Sequence, residues 1–179
     1  MPEPIRRLPF QPYALAATHW TLDEQRDLFD LSPSYQRGSV WTEEQRVALI
    51  ESLLRGIPIG AIIYNHRGLR RHALGEGLYA IIDGKQRVEA IRAFVDSEFA
   101  VPAWWFDEDE VLSRDGEATY TDLTDIGRRR IAVLPMPGLE AHVQTTEEEA
   151  AIYDLVNTGG TAQTDADIAN ARAVAQGAR

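Results

Sequence analysis

The sequence Asp-Gly-Lys-Gln-Arg at residues 83–87 marks a change from strand to helix. The apolar run 78–82 before it has the length of a buried strand, and the apolar residues that follow, from Val88 to Val95, recur at helical spacing. We therefore predict a tight turn between a strand over 78–82 and a helix over 84–96. Asp83, with Gln86 three residues later, fits the capping box that begins many helices.

The first turn of this predicted helix concentrates groups that bind anions. A helix N-terminus attracts negative charge through its N–H groups and its dipole, and Lys85 and Arg87 add two cations. Lys85 is the only lysine among the 18 Lys and Arg residues of the chain. The pattern favours a phosphate or carboxylate held over the turn, while the plainer alternative is that both side chains face solvent.

Length and composition indicate one globular domain. The chain has 179 residues, of which 44% are hydrophobic, so it can bury a core. We interpret residues 1–20 as an extended lead-in and residues 21–179 as a single domain. Because the sequence has neither an apolar run of membrane-spanning length nor the apolar core of a signal peptide, we expect a cytoplasmic protein without a membrane partner.

Charge and cysteine content exclude several classes of function. Cysteine is absent, which removes disulfides, thiolate catalysis and cysteine-ligated zinc. The formal net charge of −10 argues against sequence-independent binding to a nucleic-acid backbone, since such binding needs a basic face. A small basic pocket within an acidic protein suits a compact anionic ligand such as a nucleotide.

Helix and strand signals are interspersed along the first half of the chain. Thr42 with Gln45 forms a second capping box, and Gly56 ends the helix that follows. Thr21 with Glu24 predicts an earlier helix over about 21–31. Beyond Gly56 we predict a buried strand over 57–64 and a polar hairpin loop over 65–77 that carries Arg67, Arg70, Arg71 and His72.

The second half of the chain predicts more helix. Residues 99–120 lack a clear period, and we interpret them as a partly hairpin insertion whose aromatics pack beneath the acidic run 107–110. That run is more typical of a solvated face than of a metal site. Thr146 with Glu149 fits a capping box for a helix that ends at 157–160. The remaining predictions are a short helix over 124–131, an extended segment over 132–144 and a last helix from Thr164.

These elements do not alternate strictly, which favours an α+β fold over a doubly wound sheet. Three polar clusters lie beside predicted turns, at 35–37, 83–87 and 157–160. Arginine offers phosphate a planar fork and lysine a point charge, so Arg37, Lys85 and Arg87 suit one polyphosphate. The glycines at 159 and 160 would let the backbone approach a ligand, although many helices simply end at a glycine.

Other catalytic arrangements find little support. The four histidines, at 19, 66, 72 and 142, lie too far apart in sequence for a metal motif, so we interpret them as surface or satisfied polar residues and predict no protein metal centre. A Walker-type loop, a dinucleotide-binding glycine signature and a serine nucleophile elbow are all missing. Asp83 is the best candidate to hold a metal ion or orient a water at a phosphate, with a simple helix cap as the alternative.

Three blocks, taken in order, resemble a known family. The first contains Pro-Ser-Tyr-Gln-Arg at 33–37, Val-Trp at 40–41 and Leu-Ile-Glu-Ser-Leu-Leu-Arg-Gly-Ile-Pro-Ile at 49–59. The second is Ile-Ile-Asp-Gly-Lys-Gln-Arg at 81–87, and the third is Tyr-Asp-Leu-Val-Asn-Thr-Gly-Gly-Thr at 153–161. Together they are similar to the DGQQR family, the ParB/sulfiredoxin-like domain of GmrSD-type restriction systems and related phage-defence proteins.

The resemblance, which spans roughly residues 20–175, implies a ParB/sulfiredoxin-like α+β fold with a small mixed sheet and surrounding helices. It also implies a site for a nucleoside triphosphate, whose base the sequence does not identify. Carried over position by position, it assigns hydrolysis to Asp83, Gln86 and Arg87 and leaves a Mg²⁺ ion open. The nucleotide-binding residues that it implies are Gln36, Arg37, Gly84, Lys85, Arg87, Asn157 and Gly159.

The resemblance further implies that the domain regulates a nuclease or another defence effector. Lys85 replaces the usual glutamine of the motif, which keeps a donor and adds charge but leaves hydrolysis open. Larger relatives continue into a histidine-containing nuclease domain where this sequence ends, so we expect that this protein works with a separate partner, or is a fragment or a stand-alone phage-type version. Two alternatives remain: a non-catalytic adaptor that binds a partner protein or DNA, and a ParB-like nuclease, which the acidic composition disfavours.

Overall fold

The computed structural model describes residues 10–36, 38 and 41–158, which form a mixed sheet packed by helices. This confirms the expected α+β fold. The strands of these residues are β1 (Phe10–Tyr13), β2 (Phe29–Asp30), β3 (Ile62–His66), β4 (Tyr79–Asp83), β5 (Val101–Pro102), β6 (Glu117–Ala118) and β7 (Gly138–Ala141). The α-helices are α1 (Ala17–Thr21), α2 (Asp23–Arg26), α3 (Glu43–Leu54), α4 (Gly68–His72), α5 (Lys85–Val95), α6 (Asp125–Ala132) and α7 (Thr146–Thr158), with 3₁₀ turns at Ala103–Trp105 and Tyr120–Asp122.

The main sheet has five strands in the order β1-β7-β3-β4-β2. β3 and β4 are antiparallel, as the predicted hairpin requires, whereas β7 pairs with β3 in parallel. The register between β3 and β4 shifts within the hairpin, because Ile63 opposes Asp83 while Tyr64 opposes Ile81. Ile82 is therefore the extra residue of a β-bulge just before the motif.

Both faces of the sheet are covered. The larger core packs the sheet against α1, α3 and α5, and its fully buried side chains include Trp20, Ile81 and Phe94. The smaller core lies on the other face, where Ile82 packs with Ile152 of α7. Since successive residues of a strand point to opposite faces, β4 is buried on both sides and holds the motif rigidly at its end.

The turn from β4 into α5 matches the predicted elements within one residue, but its cap differs. The N-cap residue is Gly84, at φ +93°, and not Asp83. The Asp83 carboxylate instead accepts a hydrogen bond from Arg87 Nη2 at 2.7 Å. The predicted capping box of Asp83 and Gln86 is wrong because the left-handed glycine begins the helix and leaves the aspartate to pair with arginine.

The predicted helix over 21–31 is also wrong. The chain there forms α1 and α2, separated by the extended Leu22, and then enters β2. Thr21 is the last residue of α1 and not the cap of a following helix, and its hydroxyl donates to the carbonyl of Ala17. The reason lies in the core: Trp20 is fully buried and donates its indole N–H to Met136, which fixes the helix earlier than its capping signal suggests. The lead-in 1–20 therefore contains β1 and most of α1.

Of the other helix predictions, two are confirmed and one is displaced by a residue. The capping box of Thr42 with Gln45 is confirmed, and so is the short helix that Thr124 caps. The box predicted at Thr146 and Glu149 is wrong by one residue: Thr145 and Glu148 exchange the two hydrogen bonds. This displacement frees Glu149 to point into the protein.

The two irregular segments have more structure than predicted. The loop over 65–77 contains α4, and its Arg67 is buried rather than solvated. Residues 99–120 contain the predicted hairpin, formed by β5 and β6. Phe106 packs in the core as expected, but Trp104 keeps 60% of its surface exposed and does not lie beneath the acidic run. The predicted helix from Thr164 falls outside the described residues, among which every helix is too short or too polar to cross a bilayer.

Candidate functional site

A cavity of about 570 Å³ opens where β4 runs into α5. Gln36, Gly38 and Trp41 line one wall, and the C-terminal end of α7 lines another. The cavity thus brings together residues from all three sequence blocks, including the predicted Gln36, the whole motif and Asn157. Arg37 and Gly159 lie outside the described residues. The lining residues are Gln36, Gly38, Trp41, Ile82, Asp83, Gly84, Lys85, Gln86, Arg87, Tyr153, Asp154, Asn157 and Thr158.

Arg87 is held by the protein itself. Its Nη2 donates to Asp83, and its Nη1 donates to the carbonyls of Ile59 and Ala61 at 2.7 and 3.2 Å. The guanidinium therefore ties the motif to the segment that enters β3. The alternative that Arg87 merely faces solvent is wrong, and the predicted direct contact of Arg87 with phosphate stays a prediction.

Lys85 is also turned inward, with 8% of its surface exposed. Its Nζ donates to Ser32 Oγ at 3.0 Å and lies 3.8 Å from Glu89 Oε1. Because it lines the cavity as well, this ammonium places a positive charge at the cavity wall in a partly desolvated setting. Electrostatic attraction to an anion is stronger there than at an open surface.

Two glutamines connect the first block to the motif. Gln36 Nε2 donates to the carbonyls of Ile81 and Ile82, and Gln86 Oε1 accepts from the backbone N–H of Trp41 at 3.0 Å. These contacts hold Gln36 against the end of β4 and Trp41 against the first turn of α5. The geometry gives Gln86 a positioning contact, while its predicted part in hydrolysis remains untested.

The third block contributes the outer edge of the cavity. Asn157 donates its side-chain amide to the carbonyl of Tyr153 at 2.7 Å, and the Thr158 hydroxyl donates to the carbonyl of Asp154 at 2.7 Å. Both side chains are exposed and are turned onto their own helix. A ligand could contact Asn157 through its second N–H or its amide oxygen without displacing the bond to Tyr153.

The electrostatic field of the cavity is mixed. Lys85 and the N-terminus of α5 supply positive potential, and the Asp83 and Asp154 carboxylates supply negative charge. Carboxylate oxygens of this kind suit Mg²⁺, which binds through one or two carboxylates together with phosphate oxygens. The residues present therefore fit a Mg²⁺–triphosphate pair better than a bare anion.

Several lining residues escaped the sequence-based list. Trp41 and Tyr153 are half-buried aromatics on opposite walls, and Ser32 supports Lys85. Trp41 and Tyr153 both lie inside the blocks that resemble the family. Their position inside those blocks is the signal from which the sequence could have indicated that both aromatics line the site.

Behind the cavity lies a buried ionic cluster that sequence reasoning missed. Glu149 is fully buried and accepts hydrogen bonds from Arg67 Nε and Nη2 at 2.8 and 2.6 Å. Asn65 and Tyr35 also donate to its carboxylate, at 2.9 and 3.2 Å. The Tyr35 ring contacts Tyr153 of the cavity wall at 5.7 Å between centroids, so the cluster supports the cavity from behind.

The electrostatics of this cluster are set by Glu149. Burial alone would raise the pKa of the Glu149 carboxyl, but hydrogen bonds from Arg67 and Asn65 outweigh burial and hold the pKa below its ordinary value. The pKa of Tyr35 is raised, first by burial and then by the nearby Glu149 charge. Glu149 is therefore ionised and Tyr35 protonated at neutral pH.

The histidines require a further correction. His66 and His142 were interpreted as surface or satisfied polar residues because their sequence spacing fits no metal motif, yet their ring centroids are 6.2 Å apart. Glu140 lies beside them, and one ligand atom from each of the three residues falls within 4.8 Å of the others. Separation along the sequence was a poor guide because parallel strand pairing joins distant segments.

Comparison with known proteins adds one finding. A family model described as the N-terminal domain of the GmrSD restriction endonuclease matches residues 20–174. The match covers most of the chain and includes the three sequence blocks that line the cavity. Searches of curated proteins and of solved structures returned no match.

Proposed function

Because this chain belongs to the family of GmrSD restriction endonuclease N-terminal domains, we propose that its cavity binds a nucleoside triphosphate. Family membership makes the protein a restriction- and defence-related module. The observation that carries the proposal is the convergence of three separate sequence blocks on one cavity at the N-terminus of α5. The volume of about 570 Å³ lies within the usual range for small-molecule sites.

The phosphates lie over the first turn of α5 in this proposal. The helix dipole favours anions at that end, and Lys85 adds a partly desolvated positive charge. Asp83 supplies an oxygen ligand for Mg²⁺ or orients a water at the terminal phosphate. Arg87 fixes the position of Asp83, since the two side chains are 2.7 Å apart.

The base lies between the aromatic walls. Trp41 and Tyr153 each present a partly exposed ring to the cavity, and aromatic faces bind nucleobases with little preference among them. Polar contacts to the base edge come from the surrounding backbone. Base identity therefore has to be measured.

Calorimetric titration with ATP, GTP and CTP, with and without Mg²⁺, tests the binding step. We expect saturable 1:1 binding of at least one nucleotide and a loss of about tenfold or more in Lys85→Ala, which corresponds to the strength of one charge-assisted contact. Arg129→Ala is the matched control, because Arg129 is an exposed cation on α6. Failure of all three nucleotides to bind would refute the proposal.

Hydrolysis is a separate step with its own test. Phosphate release should be abolished in Asp83→Asn if that carboxylate holds Mg²⁺ or orients the water. Lys85→Gln restores the glutamine that is usual in the motif, and we expect its turnover to equal or exceed that of the unmodified protein. Nucleotide binding without any turnover in either protein would reduce the proposal to a nucleotide sensor.

The output that we propose is control of a nuclease. The net charge of −10 disfavours a direct grip on DNA and favours action through a partner protein. DNA cleavage by a nuclease encoded beside this protein should depend on both this chain and the nucleotide. If the two proteins associate although no nucleotide binds, the adaptor alternative is the correct one.

A further inference from the structure

Three metal-ligating side chains lie together at the end of the sheet, away from the cavity. They are His66, Glu140 and His142, and one ligand atom from each falls within 4.8 Å of the other two. Two imidazoles and one carboxylate form a common ligand set for Zn²⁺ in proteins. Sequence spacing gave no hint of it, since His66 and His142 belong to different strand segments.

The backbone explains why these residues meet. β3 and β7 pair in parallel with Tyr64 opposite Glu140 and Asn65 opposite Ala141. Residues two apart on a strand share a face, so His66 follows Tyr64 on the face where His142 follows Glu140. Two neighbouring strands of the central sheet thus hold His66 and Glu140, and His142 directly follows the second strand.

Neighbouring side chains restrict the ligands further. Tyr64 lies opposite Glu140 in the strand register, and the His66 ring stacks on Tyr79 at 5.1 Å with 29° between the ring planes. The stacking limits the orientations that the His66 imidazole can adopt. Glu140 keeps 12% of its side chain exposed, while His142 keeps 43%, so the cluster has one side open to water.

We propose that His66, Glu140 and His142 form a binding site for a divalent transition-metal ion of the Zn²⁺ class. Ligand atoms at about 2.0–2.2 Å from a tetrahedral ion lie about 3.3 Å apart. His142 Nε2 and Glu140 Oε1 are already 3.2 Å apart, so only the His66 ligand atom has to move closer, by less than about 2 Å. Water completes the coordination from the open side, and imidazole ligands select this class over Mg²⁺.

A simple ion pair between His142 and Glu140 does not account for the arrangement. Such a pair would not need His66 within reach of both ligand atoms. The cluster is also separate from the nucleotide cavity. His66 pairs with Tyr79 at the start of β4, four residues and about 13 Å from Asp83 at its end.

Metal titration of the purified protein, stripped with a chelator, tests the site. We expect 1:1 binding of Zn²⁺ by calorimetry, the visible absorption of tetrahedral Co²⁺, and a melting temperature raised by several degrees at saturating Zn²⁺. His66→Ala and His142→Ala should each lower the affinity at least about tenfold. Their far-UV circular dichroism should match that of the unmodified protein.

His72→Ala is the matched control, because His72 is an exposed histidine on α4 outside the cluster. It should bind Zn²⁺ as the unmodified protein does. The proposal is overturned if no saturable binding occurs, if His72→Ala loses as much affinity as the cluster variants, or if the cluster variants retain full affinity. Because Mg²⁺–nucleotide titration reports on a different part of the sheet, failure here leaves the nucleotide proposal standing.

Discussion

Two arginine–carboxylate pairs, Arg87–Asp83 and Arg67–Glu149, differ in their access to solvent. Arg87 and Asp83 are 2.7 Å apart, with 15% and 31% of their side chains exposed beside the cavity. Arg67 and Glu149 are 2.6 Å apart, with 4% and 0% exposed. The same chemistry therefore serves two ends: the sealed pair holds elements together, and the open pair presents a carboxylate to whatever enters the cavity.

The surroundings of the two pairs reinforce this difference. Around Glu149, Asn65 and Tyr35 supply additional donors, so the carboxylate is saturated by protein groups. The Asp83 carboxylate, by contrast, accepts a hydrogen bond from Arg87 and also lines the cavity. A buried pair with full hydrogen bonding tolerates no loss of a member, whereas a partly exposed pair can be rehydrated.

Removing Glu149 should have the largest effect. Glu149→Ala leaves the buried Arg67 guanidinium without its main counter-charge, and we expect a loss of about 3–5 kcal/mol in the free energy of unfolding. Urea denaturation measures it. Glu147→Ala, on the exposed side of the same helix start, should cost less than about 1 kcal/mol. Equal losses in the two variants would show that the sealed pair contributes no special stability.

Substitution of Gly84 should rank second. Gly84→Ala places a side chain at φ +93°, with its Cβ 2.6 Å from Ile62 Cδ1, and we expect a loss of about 1–3 kcal/mol. Gly38→Ala is the control, because a Cβ there meets nothing within 4 Å. If both variants unfold at the same urea concentration, the left-handed turn is not what fixes the motif.

Breaking the open pair should cost less than breaking the sealed one. Arg87→Ala removes the contacts to Asp83, Ile59 and Ala61, yet water can reach the carboxylate that remains. We expect a loss of about 1–2 kcal/mol after allowing for solvent screening. A loss as large as that of Glu149→Ala, measured in the same urea series, would contradict the distinction between the two pairs.

The smallest effect is expected from pH. The pKa of Glu149 is lowered in the folded protein, so its ion pair adds stability above the unfolded pKa of about 4.3 and loses it as the pH falls through the folded pKa. Thermal unfolding measured from neutral to acidic pH should show this loss. Glu149→Gln should show a flatter profile over the acidic range, while a profile parallel to that of the unmodified protein would argue against the lowered pKa.

Local signals in the sequence predicted elements that rest on local interactions. The capping box of Thr42 and the strand–helix change at 83–87 need neighbours only a few residues away, and both elements are present. The helix expected over 21–31 failed because the burial of Trp20 and its hydrogen bond to Met136 outweighed a local capping signal. Tertiary contacts of this kind are invisible without the fold.

The site was likewise predictable where its residues lie in recognisable sequence blocks and unpredictable where they depend on tertiary contacts. The motif and the first and third blocks could be proposed as one site because they resemble a family in order, and the cavity contains parts of all three. The inward orientation of Arg87 and Lys85 could not be foreseen, since it depends on carbonyls at Ile59 and Ala61 and on a hydroxyl at Ser32. The clusters around Glu149 and His66 need strand register, which composition does not reveal.

The bulge at Ile82 has a consequence for how this domain tolerates change. Successive carbonyls of a regular strand point in opposite directions, yet Gln36 bonds those of both Ile81 and Ile82, as one extra residue in the strand permits. The contact is thus specified by the number of residues between the hairpin and the motif as well as by their identities. Shortening β4 by one residue would be more disruptive than most substitutions within it, because it would shift the motif relative to Gln36 and to the carbonyls of Ile59 and Ala61 while leaving every motif residue in the sequence.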